Sequence, residues 1–134
     1  MLILIFFQSW TFYLGSTNVT FERLLGVKPY KEIKDMSLRR YKEGVISPHL
    51  FTIKTGNEAA IIKDFTRDCG IKKIVFENLP IELKDIDTEM VEVIHKSPYV
   101  YLSQNYNLHV PKEGRMCVVF KDKENLYLFV NGNL

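Results

Sequence analysis

Strand-type and helix-type hydrophobic periods take turns along this chain, and no Pro-, Gly- or Ser-rich linker separates them. That alternation constrains the fold most, because amphipathic helices interleaved with apolar strands must bury their stripes against a shared sheet. The clearest helix runs over 58–69. Asn57 provides an N-cap, Gly70 a left-handed stop, and Ile61, Ile62, Phe65 and Cys69 an inner stripe at helical spacing. Phe21, Leu24 and Leu25 mark a shorter helix after the Gly15–Asn18 turn, ending at Gly26, and the 30–43 stretch reads as a further helix closed by Gly44. A fourth is expected over 85–96, with Ile86, Met90, Val93 and Ile94 facing inward and Pro98 as its stop.

Strands are expected over 2–7, 50–55, 72–77 and 99–102. A C-terminal hairpin is expected from Met116 to Lys121 and Leu126 to Val130, turning through Asp122–Asn125. Helical crossovers favour parallel neighbours and the hairpin must be antiparallel. The expected fold is α+β: one domain over 1–134, with a mixed sheet of about five or six strands, three or four helices packed on it and the antiparallel hairpin at its end.

The 134 residues carry 18 basic and 16 acidic side chains, a net charge of +2, and 46% hydrophobic residues. That composition excludes global disorder, and two cysteines are too few for a disulfide scaffold. Cys69 and Cys117 match no metal or redox spacing and read as buried thiols in a reducing cytoplasm. The apolar opening Leu2–Phe7 is interrupted by Gln8, Ser9 and Thr11, too soon for a membrane span of about 20 residues, and lacks the basic start of a signal peptide.

Ile74–Leu79 resembles the first signature strand of the RNA-recognition motif, and Glu113–Phe120 its glycine-led second one. That family stacks bases on aromatic rings. The stacking positions here hold Val75, Arg115 and Cys117, so this chemistry is not expected and no family is assigned.

Charge is unevenly distributed. Residues 77–92 hold six carboxylates against Lys84 alone; Asp85, Glu89 and Glu92, at helical spacing, are expected on one exposed face. Tyr99 and Tyr101 share a strand face and offer stiff amphipathic surface. These five residues are the candidate partner-binding set, suited to a basic protein. Residues 28–42 hold six cations against two acids, and Lys31, Lys34, Arg39, Arg40 and Lys42 are the candidate nucleic-acid-binding set.

His49, His95 and His109 lie too far apart for a local metal motif, and no phosphate loop or nucleophile elbow is present. No cofactor or metal is expected. The expected function is therefore a non-enzymatic protein-binding module, such as a cytoplasmic inhibitor or immunity-type protein that neutralises a partner by docking. Nucleic-acid binding through 28–42 is the alternative, and a histidine-centred enzyme the second.

Overall fold

A computed structural model describes residues 17–41, 48–103 and 116–131. The expected strand over 2–7 lies outside them.

Six strands form one sheet: β1 Ile33–Arg40, β2 His49–Thr55, β3 Ile71–Ile74, β4 Val100–Ser103, β5 Met116–Lys121 and β6 Leu126–Asn131, in the order β1-β2-β6-β5-β4-β3. Four helices accompany it: α1 over 17–25, α2 Glu58–Cys69, α3 Glu82–Ile86 and α4 Thr88–Lys96. The α+β class and the terminal hairpin are as expected.

Alternating side chains of the central strands feed two separate cores. Cys117 and Val119 of β5, with Leu128 and Val130 of β6 and Phe51 and Ile53 of β2, pack against Phe21 and Leu24 of α1 and Ile61 and Phe65 of α2. Met116, Val118 and Phe120, with Phe129 and Leu50, pack against Leu83 of α3 and Met90 and Ile94 of α4. The sheet is thus covered on both faces, α1 and α2 on one and α3 and α4 on the other. That explains why β5 and β6 read as nearly continuous apolar runs rather than as an alternation.

Three sequence expectations need correction. The stretch expected as a helix over 30–43 holds β1. Met36 and Leu38 follow a strand period and sit opposite Ile53 and Phe51, so cross-strand pairing with β2 overrides the local reading. Among the described residues every strand pair is antiparallel, so the described sheet is not mixed. The crossover argument failed because α2 carries the chain from β2 to the far edge of the sheet. The α3–α4 pair then re-enters beside β3 at the end the chain left. Finally, β3 stops at Ile74, short of the expected 77; Phe76–Asn78 is a 3₁₀ turn, so the resemblance to an RNA-binding signature strand has no strand beneath it.

Candidate functional site

The surface that combines exposed apolar groups with concavity lies on the α3–α4 side. The chain leaves β3 at Ile74, turns through Phe76–Asn78, and starts α3 after Pro80, whose carbonyl accepts from Leu83 N (3.2 Å). Leu83 is buried and anchors α3 to the sheet. The turn leaves a recess of about 410 Å³, floored by Phe76, Leu79, Pro80, Leu83 and Val91, with Glu77 and Lys84 as its charged lining. Ile81, which also lines it, is 74% exposed, and Val75, next to Phe76 in the chain, is 59% exposed, two of the three large apolar side chains left in solvent among the described residues. His95, in the last turn of α4, lies against Phe76 with ring centroids 4.4 Å apart.

Lys84 also lines a second, polar groove of about 350 Å³ on the other flank of α3, together with Arg39, Tyr41, Asp85, Asp87 and Glu89. Asp87 is its hub. One carboxylate oxygen caps α4 by accepting from Met90 N (3.0 Å), and the other accepts from Tyr41 Oη (2.7 Å), with Arg39 at 3.7 Å. Burial opposes ionisation of Asp87. The bonds from Tyr41 and Met90 and the Arg39 charge outweigh it, so its pKa falls below the usual carboxylate value. Burial, then the bond to Asp87, pushes the Tyr41 hydroxyl well above its ordinary value.

The expected partner-binding set is divided by the fold. Asp87 ends α3 and caps α4, so the single helix expected over 85–96 is two, with Asp85 on α3 and Glu89 and Glu92 on α4. All three are exposed. Tyr99 and Tyr101 lie on the opposite face, packed against the α1–α2 core and edge-to-face at 5.4 Å. Tyr99 donates to Glu58 (2.9 Å), which also receives Lys121 Nζ (2.8 Å). Tyr30 and Tyr127 do likewise toward Asp68 (2.7 Å) and Asp122 (2.5 Å). These tyrosines therefore tie elements together through internal carboxylates.

The basic set is divided too. Lys31 sits in a turn, Lys34 at a bulge in β1, and Lys42 outside the described residues. Consecutive strand residues point to opposite faces: Arg39 joins the Asp87 hub, while Arg40 donates to Thr20 of α1 (3.1 Å) on the other side. The two oppositely charged sequence stretches meet at one seam, between Arg39 and Asp87. His49 is buried at the start of β2 and His109 lies outside the described residues. Among the described residues no cluster of His, Cys, Asp or Glu is arranged to hold a metal, and no helix is long and apolar enough to cross a membrane.

Sequence reading passed over the recess because Leu79, Pro80 and Ile81, between the strand expected over 72–77 and the helix expected over 85–96, were given no element or role. The available signal was an isoleucine directly after a proline, where no strand or helix period accounted for it. The molecule is thus an antiparallel sheet covered by helices on both faces, with an apolar recess and a polar groove on either flank of α3. Comparison with protein-family models, with curated proteins and with solved structures finds no significant match.

Proposed function

We propose that this chain is a non-enzymatic protein-binding module that docks a basic partner across α3. The observation that carries the reading is the apolar recess with Ile81 in its lining, whose exposed side chain has no role in the protein's own core. A partner would seat an apolar anchor in the recess and lay cationic side chains over Asp85 and Glu89 in the adjoining groove. In its most concrete form this is a cytoplasmic inhibitor or immunity-type protein that occludes its target. The separation of Arg39 from Arg40 speaks for this reading over nucleic-acid binding, which needs a continuous basic track.

A photo-crosslinking side chain placed at Ile81 tests it in native lysate. We expect one protein to be captured, to be displaced by excess unlabelled wild type, and not to be displaced by excess Ile81→Glu. A double Asp85→Lys/Glu89→Lys variant should associate more slowly, chiefly at low salt where the Debye length is long. Equal displacement by Ile81→Glu and wild type would refute docking at the recess.

A further inference from the structure

β1 is an edge of the described sheet and twice the length of the other edge, with eight residues against four in β3. Its pairing with β2 fixes which backbone groups point outward. Tyr41 N donates to Pro48 O across the pair (3.2 Å), so the odd-numbered residues 35–41 turn their N–H and C=O groups toward β2. Even-numbered residues turn theirs away, and Met36 N accordingly finds no ladder partner and donates to its own Asp35 carboxylate (2.9 Å). Any strand added here must bond to Met36, Leu38 and Arg40.

We infer that the strand which fits this edge is β1 of a second copy, laid antiparallel with Ser37 on the two-fold axis. Parity of the outward groups allows only even residues to pair with even ones. With Ser37 on the axis, Met36 faces the partner's Leu38 and Asp35 faces the partner's Arg39, each contact occurring twice by symmetry. Shifting the register by two in either direction sets Asp35 opposite the partner's Tyr41 or the partner's Ser37 and loses both ion pairs. The Asp35–Arg39 positions are the non-hydrogen-bonded ones, where side chains approach most closely. A like-charged meeting, of Lys34 with the partner's Arg40, also occurs twice and is relieved each time on both sides: Lys34 is the extra residue of the bulge between Ile33 and Asp35, and Arg40 is held toward Thr20.

A charged edge normally discourages strand addition. This one discourages strands in general and complements itself. On pairing, the Met36 N–H passes from its own Asp35 to a carbonyl of the second copy, which releases that carboxylate for the partner's Arg39. Arg39 keeps its place over the Tyr41 ring (5.0 Å to the centroid) and beside Asp87, because a guanidinium has five donors to share. Half-buried Met36 and Leu38 meanwhile cover each other on the α1–α2 face. The inference is independent of the recess on the other side of the sheet.

Sedimentation of the full chain over a concentration series, combined with oxidation of a Ser37→Cys variant, tests this. Facing residues at a non-hydrogen-bonded site have Cα atoms about 4.5 Å apart, within disulfide range. Ser37→Cys should therefore oxidise to a covalent dimer, whereas Thr88→Cys, exposed on α4, should behave as wild type. Asp35→Arg and Arg39→Asp should each weaken dimerisation about tenfold or more, and the combined Asp35→Arg/Arg39→Asp variant should restore it. All three positions are exposed, and circular dichroism should confirm unchanged folding. A wild-type chain that stays monomeric at its solubility limit overturns the inference. So does a dimer indifferent to both charge reversals, or an edge that pairs only with another protein's strand.

Discussion

Asp87 concentrates more connections than any other side chain at the α3–α4 junction. It breaks a continuous helix, caps the second half, and accepts from Tyr41 at the end of the farthest strand. Its two oxygens do separate jobs, which substitutions can separate. Asp87→Ala removes the cap and leaves the half-buried Tyr41 hydroxyl without this acceptor, and should cost about 2 kcal/mol. Asp87→Asn keeps a capping oxygen and should cost less than half of that. Tyr41→Phe removes one hydroxyl bond while keeping the ring packed on Phe129 (6.1 Å), for about 1 kcal/mol. Urea unfolding with an unchanged slope should show these as shifts of midpoint. Equal losses for the alanine and asparagine variants would mean that the cap contributes nothing.

Among the elements, α2 is the one whose limits follow from its own sequence. Asn57 accepts from Ala60 N (3.2 Å), and Gly70 adopts φ 63°, where a side chain would be strained. Asn57→Ala and Gly70→Ala should each destabilise by about 1 kcal/mol. Because the caps sit at opposite ends of a 12-residue helix, the double variant should lose the sum, about 2 kcal/mol. A double loss well below that sum would show that the two ends fray together. β1 is the contrary case. Its partners lie in β2, and its charged outer half gives no periodic signal strong enough to name it a strand. The β5–β6 hairpin lies between: Asp122 Oδ1 accepts from Glu124 N and Asn125 N, turn chemistry that its sequence announces.

Among the described residues, four tyrosine–carboxylate bonds clasp the fold: Tyr30–Asp68, Tyr41–Asp87 and Tyr99–Glu58 join elements distant in sequence, and Tyr127–Asp122 closes the β5–β6 hairpin. Each carboxylate is held below its ordinary pKa. The bond from Lys121 does this for Glu58, and the bond from Arg67 for Asp68. At Asp87 and Asp122 burial acts the other way and is outweighed by hydrogen bonds. Each tyrosine is raised, chiefly by burial and then by its carboxylate. A lowered carboxylate stabilises the fold above its unfolded value and is lost as pH falls through the folded one. A raised tyrosine stabilises below its unfolded value and is lost as pH climbs past it. Thermal stability should therefore be flat across neutral pH, fall below about pH 4, and fall again above about pH 10. Melting followed by circular dichroism across that range checks both limbs. The acid limb should be shallower in Asp87→Asn, which has one fewer group to protonate, and an unchanged limb would remove Asp87 from the account.

The sequence by itself determined what is local: α2 with both caps, the α1 stripe of Phe21, Leu24 and Leu25, the hairpin turn, and the α+β class. The first three rest on backbone and side-chain chemistry within a few residues of chain, and the last on the alternation of helix and strand periods along it. Tertiary structure decided what depends on distant partners. Opposite β2, residues 33–40 became a strand, and the six described strands became antiparallel because α3 and α4 return the chain to the end it left. The candidate site follows the same division. The exposure of Asp85, Glu89 and Glu92 was legible from charge spacing, whereas their division between two helices was not. Nor was the separation of Tyr99 and Tyr101 to the other face, or the recess beside Ile81, since each depends on which surface the sheet leaves uncovered.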